Sequence, residues 1–367
     1  MQLAIVGLAR SGKTTVFDAL TGGHIPTGTY AGDAGLHVGA FKVPDDRLDK
    51  LGALFKPKKL VHADVHYVDC PGGLVWRGAG RGGGPSPQVQ AALDRSDALV
   101  HVVRAFRSES VPHPEGSVDH DRDIEALNLE MAFADLGVVE RRLERLDTMV
   151  RSARAGEREA GEHELALLRR VKEGLEAEKP LHAQSLTAED LRSLANYNFL
   201  TAKPLLILLN IDEADVPQAG ALEEELRRRW SGPQTAVAAV CGSLERELVD
   251  LSPEEAAEFR ADLGLGEPAA ARVSRLCFDL LGLVSFFTGN EDEWRAWTVP
   301  RGSAAVKAAG KVHSDMERGF IRAEVIRWDE LLELGSLAEA RKRGVLRGEG
   351  KGYEVQDGDV LHILFNV

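Results

Sequence analysis

Eight residues near the N-terminus, Gly-Leu-Ala-Arg-Ser-Gly-Lys-Thr (Gly7 to Thr14), carry the spacing G-x-x-x-x-G-K-[ST]. A strand-like run, LAIVGL, leads into them and a helical pattern, GKTTVFDALTG, leads out. That context suits a phosphate cradle, because backbone N–H groups at a helix N-terminus lack intrahelical partners and favour anions. The nucleotide-contacting residues read from it are Gly7, Ala9, Arg10, Ser11, Gly12, Lys13, Thr14 and Thr15. Lys13 would place a point charge on the β- and γ-phosphates, and Thr14 would give its hydroxyl oxygen to Mg²⁺. A second strand ends in Asp69-Cys70-Pro71-Gly72, a D-x-x-G arrangement. There Asp69 would hold Mg²⁺ through water and the Gly72 amide would sense the γ-phosphate. The stretch WRGAGRGGGPSP that follows is glycine-rich, as a switch segment ordered by that phosphate would be.

A third stretch, KPLLILLNIDEAD, ends an apolar run on Asn210, Ile211, Asp212 and Glu213. It nearly spells Asn-Lys-x-Asp, the tetrapeptide with which many P-loop switches hold guanine. There an Asp accepts two hydrogen bonds from the base while Lys packs along the ring. Here Glu213 is one methylene longer and Ile211 replaces the Lys. The guanine clamp is lost, whereas Asn210 can still meet adenine's N7 and amine. A site without paired acceptors gives up the discrimination that buried polar pairing supplies. ATP is the expected substrate, preferred over GTP.

These groups must be positioned by a larger frame. The chain has 367 residues, 44% hydrophobic and 28% charged, which implies two or three globular domains. Its formal net charge of −13 argues against coating nucleic acid by bulk electrostatics. Two local basic clusters remain, FKPKK (Phe55 to Lys59) and RKRGVLRGEGK (Arg341 to Lys351), each read first as solvated surface. No apolar run approaches a membrane span, the N-terminus lacks a signal-peptide pattern, and three scattered cysteines suggest a reducing, cytoplasmic setting.

Strand and helix signals alternate over the first hundred residues, which predicts a sheet covered by helices. From about Asp123 to Lys179 strand signals vanish, and Leu127, Met131, Leu136, Val139, Leu143 and Leu146 recur at helical steps. A second helix, EHELALLRRVKEGLEAE, would close an antiparallel hairpin projecting as an arm. Strands return with PLLILLNI and TAVAAVCG, so the arm is an insertion. The last 85 or so residues are rich in short β signals and suggest a small α+β domain. The expected division is 1–125 and 200–282 for the sheet domain, 126–199 for the arm and 283–367 for the last domain.

Taken together, GLARSGKTTVFDALTG, DALVHVVRAF, VDHDRDIEALNLEMAFADLGVVERRLERL, NIDE and the closing FFTGNEDEWRAWTV to ILFNV resemble the YchF branch of the Obg-related P-loop NTPases, the Obg-like ATPases. The resemblance implies an α/β P-loop G domain with a helical coiled-coil insertion and a C-terminal, ubiquitin-like TGS domain. It implies a slow Mg²⁺-dependent ATPase, monomeric, working with the ribosome or another RNA-containing assembly through the TGS domain and the arm. In that family Asn-x-x-Glu accompanies ATP preference, and Cys241 and Gly242 fall in the last nucleotide-contacting loop. His113, in SVPHPEG, aligns with a mobile histidine that acts on the attacking water; the plainer reading is an exposed loop residue.

Several positions depart from the family pattern. The phosphate loop has Ala9, Arg10 and Ser11 where Pro, Asn and Val are usual. Arg10 cannot ligate a potassium ion as Asn can; it could place its own charge there, or pair with an acid such as Asp33. Asp33 stands where a Mg²⁺-binding Thr is expected, with Thr27 and Thr29 as alternatives. Gly73 follows the D-x-x-G box, so no glutamine stands ready to orient water. Cys241-Gly242 replaces Ser-Ala. These departures keep open a nucleotide-binding regulatory protein with little or no hydrolysis. A metabolic kinase fits poorly, since no acceptor lid is visible. His101 reads as packed at a strand end, and Trp294, Trp297 and Trp328 as core and rim of the last domain rather than a base-stacking platform.

Overall fold

The structure is a computed structural model and describes residues 1–23, 36–71, 85–152 and 154–366. Its contacts divide the chain into two units, residues 1–40 with 66–270 and residues 41–65 with 271–367.

The first unit is built on a six-stranded sheet. In chain order its strands are β1 (Gln2–Val6), β2 (His37–Val43), β4 (Ala63–Asp69), β5 (Ala98–Arg104), β6 (Leu205–Asn210) and β7 (Thr235–Val240), arranged β2-β4-β1-β5-β6-β7. The pairs β1–β4, β1–β5, β5–β6 and β6–β7 are parallel. β5 and β6 are buried along their whole length, as central strands covered on both faces must be. Helices α1 (Lys13–Thr21), α3 (Pro87–Arg95), α7 (Ala219–Trp230), α8 (Gly242–Val249) and α9 (Pro253–Asp262) follow the strands. The main core joins Val6, Leu99, Val103, Leu205, Ile207 and Leu209 to Leu93, Leu127 and Leu226.

Between β5 and β6 the arm rises on α4 (His120–Ser152) and α5 (Ala155–Glu176). The 33 residues of α4 span about 50 Å at 1.5 Å per residue. Val139, Leu146 and Val150 close on Leu165, Leu168, Val171 and Leu175 in a separate core. Arg142 adds a two-pronged bridge to Glu164, at 2.8 and 2.9 Å. The short helix α6 (Ala188–Leu194), held by a Thr187–Asp190 capping box, leads back toward the sheet. At the foot of the arm Asp135 accepts from the Leu200 and Thr201 amides and the Thr201 hydroxyl. α4 is thereby fixed to the segment entering β6.

The second unit holds another six-stranded sheet, with β3 (Lys59–Val61), β8 (Leu283–Gly289), β9 (Glu293–Pro300), β10 (Phe320–Arg327), β11 (Arg347–Glu349) and β12 (Asp359–Phe365) in the order β11-β10-β12-β8-β9-β3. β8 and β9 form an antiparallel hairpin and β12 runs parallel to β8. Helices α10 (Ala269–Leu280), α11 (Ala305–Val312), α12 (Ser314–Arg318), α13 (Trp328–Leu334) and α14 (Leu337–Lys342) complete it. This is the TGS arrangement expected from the sequence. Trp294 is 2% exposed and stacked on Phe55, Trp297 donates to Thr288 Oγ1, and Lys50 sits over Trp328. All three are core and rim.

One element departs from the expected division. Residues 41–65, read as part of the first domain, pack with the C-terminal unit. α2 (Asp46–Phe55) buries Leu48 and Leu51 against Phe287 and Trp294, and β3 pairs in parallel with β9. The reason is chemical complementarity at a distance of more than 230 residues, which local patterning cannot reveal. The FKPKK cluster lies here, and Lys58 and Lys59 face Asp292 and Glu293 at 2.7 and 3.3 Å. In the other cluster Arg341 meets Glu324, Arg343 meets Glu339 and Arg347 meets Glu349. Both clusters are largely charge-compensated. Among the described residues no helix is long and apolar enough to cross a membrane, and the three cysteines are buried and free.

Candidate functional site

β1 delivers the phosphate loop. The chain leaves the strand at Gly7 with φ 150°, where a Cβ would lie 2.4 Å from the Val102 carbonyl oxygen of β5. Gly12 is left-handed, φ 88° and ψ 22°, and a Cβ there would lie 2.2 Å from Asn210 Nδ2. The first bond of α1 runs from the Val16 amide to the Gly12 carbonyl, at 2.9 Å. The amides of Lys13, Thr14 and Thr15 therefore have no backbone acceptor among the described residues, and the positive end of the helix dipole adds to their pull on an anion.

Lys13 is 7% exposed, and its ammonium donates to the Gly7 and Leu8 carbonyls at 3.1 and 2.9 Å. Burial holds its pKa below the ordinary lysine value, against the opposing pull of Asp69 and Cys70. An anion in the loop would relieve that strain on the charged form. Thr14 Oγ1 donates to Asp69 Oδ2 at 2.8 Å, while Asp69 Oδ1 is buried without a partner among the described residues. A hydroxyl and a carboxylate with a spare oxygen form a hard-oxygen set that fits Mg²⁺. Cys70 is inert by comparison, its thiol pushed up to about 12 by burial and then by Asp69. Gly72, Gly73, Asp33, Thr27 and Thr29 lie outside the described residues.

At the other end of the loop Asn210 joins two segments. Its Nδ2 donates to the Ser11 carbonyl at 3.1 Å and its Oδ1 accepts the Gly242 amide at 3.1 Å. A Cβ at Gly242 would lie 2.9 Å from that oxygen, so a larger residue there would press on the bridge. Glu213 is exposed just beyond, at the start of a short 3-10 helix. Ile211 differs from expectation. It is 3% exposed and belongs to the main core, so its side chain does not lie along a base. Cys241 is likewise buried in that core and leaves only backbone at the site.

Arg10, at φ 62°, donates to the Pro112 carbonyl at 3.2 Å, and among the described residues no acid pairs with it. The contact brings the His113 segment to the phosphate loop. His113 is not the exposed loop residue of the plainer reading, since its side chain is 4% exposed. Its Nδ1 accepts the Glu115 amide at 3.1 Å, so the ring proton sits on Nε2 and is donated to Asp123 Oδ2 at 2.9 Å.

Comparison with known proteins fits this geometry. The family model YchF-GTPase_C, described as "Protein of unknown function (DUF933)", matches residues 283–366. Over 366 residues the chain is 38% identical to the "Ribosome-binding ATPase YchF" of Bacillus subtilis (strain 168), covering 99% of this chain and 98% of that one. The chain belongs to the YchF family. The Escherichia coli O157:H7 protein of the same name is 37% identical over 364 residues, covering 99% and 98%. The solved "Structure of the Schizosaccharomyces pombe YchF GTPase" superposes with a TM-score of 0.81 at 27% identity, covering 99% of this chain and 97% of that one. The names of these relatives differ on the nucleotide, ATPase for the bacterial proteins and GTPase for the yeast one.

Arg104 and Phe106 of this YchF-family site carry no motif in the sequence. Arg104, at the end of β5, is 2% exposed and donates to the carbonyls of Phe106, Val111 and Arg10 at 3.2, 2.7 and 3.5 Å. Its guanidinium stacks over the Phe106 ring, 4.4 Å from the centroid, and that ring borders Gly12. Asp212 accepts the Arg107 amide at 2.8 Å. Residues 104–113 are thus tied to the phosphate loop and to the Asn210 segment. The only available signal was an arginine closing an otherwise apolar strand, HVVRAF.

His101 is packed within β5, fully buried, with neither ring nitrogen partnered among the described residues. Burial first, then the Lys13 charge, pushes its pKa down to about 3. A histidine whose folded pKa lies below its unfolded value contributes stability present above the unfolded pKa and lost as pH falls. Its share of the acid sensitivity is about 1.4 kcal/mol per pH unit below about 6.5. Urea unfolding of His101→Leu at pH 7 and pH 5 is expected to show a loss about 2 kcal/mol smaller than in the wild type. Equal losses would mean that His101 gains a partner.

Proposed function

We propose that the chain is a Mg²⁺-dependent nucleoside triphosphatase switch that prefers ATP and hydrolyses its γ-phosphate slowly. The observation that carries this reading is the convergence on one loop of Lys13, the Thr14–Asp69 pair and three amides that have no backbone acceptor among the described residues. The amides and Lys13 would bind and orient the phosphates and oppose the charge that develops on them. Thr14 and Asp69 would hold Mg²⁺, which when bound neutralises charge on the phosphate oxygens. Asn210 keeps one N–H and one lone pair beyond its two bonds, enough for adenine's N7 and amine. His113 would orient or deprotonate the attacking water once one of its nitrogens is freed.

A specific observation favours a second reading, a nucleotide-binding regulator with little hydrolysis: both nitrogens of His113 are engaged. As for partners, the bacterial relatives' names support action with the ribosome. Acidic and basic residues nearly balance in the TGS-containing unit, so the chain's negative surplus lies in the first unit. An RNA surface would meet less repulsion at the TGS unit and would then have to compete for its paired cations.

Calorimetric titration tests the nucleotide preference. With Ile211 in the core and Asp212 committed to Arg107, Glu213 is the one carboxylate left in the tetrapeptide to read the base. ATP is expected to bind at least about tenfold more tightly than GTP. Equal or tighter binding of GTP would refute the preference without touching the phosphate loop.

A further inference from the structure

The position of Asp123 is unexplained by the nucleotide site alone. It lies in the first turn of α4, the helix that forms the arm, and is buried to 2%. Its Oδ1 accepts from Arg122 Nε and Nη2 at 3.0 and 2.8 Å, and its Oδ2 accepts the hydrogen bond of His113 Nε2–H. The His113 and Asp123 side chains are 4% and 3% exposed. With the Glu115 amide on the other nitrogen, His113 offers no free lone pair to a water and no free N–H to a phosphate. The ring is held at Nδ1 by its own loop and at Nε2 by the arm.

The backbone around it is held differently. Arg10 of the phosphate loop bonds the Pro112 carbonyl, one residue before His113, and Arg104 bonds the Val111 carbonyl. Adjacent Cα atoms are about 3.8 Å apart, so His113 stays next to a loop contact whatever its side chain does. Release from Asp123 would need only a rotation of the ring on an anchored segment.

Resting on the reading of the site as a triphosphatase that uses His113, we propose that Asp123 is a restraint on hydrolysis. Its carboxylate occupies Nε2 while the Glu115 amide occupies Nδ1, and the bond to Asp123 must break before the ring can turn to serve the attacking water. Because Asp123 sits at the root of α4, displacement of the arm is the mechanical route to release. Asp123 is a positioning residue with a negative effect on basal turnover.

The test is steady-state hydrolysis of ATP by the full-length protein with Mg²⁺, comparing wild type, Asp123→Ala, His113→Ala and the double variant. Asp123→Ala is expected to raise kcat about tenfold with ATP affinity within twofold, because the phosphate contacts are untouched. The gain should vanish in the double variant, which should match His113→Ala. Should Asp123→Ala fail to fold, Asp123→Asn keeps the size and an acceptor oxygen and should give a smaller gain, about threefold. The ring ¹⁵N signals of nucleotide-free wild type should report a bare Nδ1 and a protonated Nε2 for His113, a pattern lost in the Asp123 variants. An unchanged or lowered kcat in the Asp123 variants, or a gain that survives removal of His113, would overturn the restraint and leave the triphosphatase reading standing. A wild type with no hydrolysis would remove both.

Discussion

Lys13→Ala is expected to weaken binding of ATP by about a hundredfold while the fold survives. Among the described residues the ammonium donates to two loop carbonyls, and burial already disfavours its charge. Removing it therefore takes away a desolvated cation and costs little stability, within about 1 kcal/mol in urea unfolding. Toward a triphosphate the balance reverses. A charge-assisted bond to phosphate oxygens in a partly buried site contributes about 1.5–3 kcal/mol, and a general gain in positive potential is lost with it. Titration calorimetry on the variant checks the affinity. Undiminished affinity with normal unfolding would mean that triphosphate binds elsewhere.

Gly12→Ala should damage fold and function together. The residue is left-handed, which costs an alanine about 1–2 kcal/mol. The new methyl would also fall on Asn210 Nδ2, displacing the amide that bridges Ser11 and Gly242. With those bonds weakened, the expected loss of stability is about 3 kcal/mol or more, accompanied by loss of measurable ATP binding. Gly22→Ala is the control. It has the same handedness, φ 76°, but a Cβ there meets nothing within 4 Å among the described residues, so it should show the backbone cost alone. Equal effects of the two substitutions would mean that Asn210 is not held where the structure places it.

The parts of the fold that were legible in the sequence are those governed by local chemistry. The strand–loop–helix turn follows from the spacing of Gly7, Gly12, Lys13 and Thr14, and the arm from its helical repeat of Leu127, Val139 and Leu146. The parts that were not legible depend on what lies across the fold. α2 reads as an ordinary helix of the first domain until Phe287 and Trp294 appear against Leu48 and Leu51. Ile211 stands in sequence where a lysine would pack along a base, but an apolar side chain next to a buried strand is drawn into the core. Arg104 and Asp123 carry no motif. Each is identified by its partners, three backbone carbonyls in one case and a histidine ring in the other. His113 is singled out by resemblance alone, and its bond to Asp123 of the arm is a side-chain contact that no local pattern encodes.

The central claim is that this loop binds ATP in order to hydrolyse it. Single-turnover hydrolysis with protein in excess over γ-labelled ATP, with and without Mg²⁺, tests it most directly. The account predicts slow release of phosphate that requires Mg²⁺, is lost in Lys13→Ala and falls in His113→Ala. Tight Mg²⁺-dependent ATP binding with no phosphate released above the Lys13→Ala background would contradict it and leave a nucleotide-binding regulator in its place.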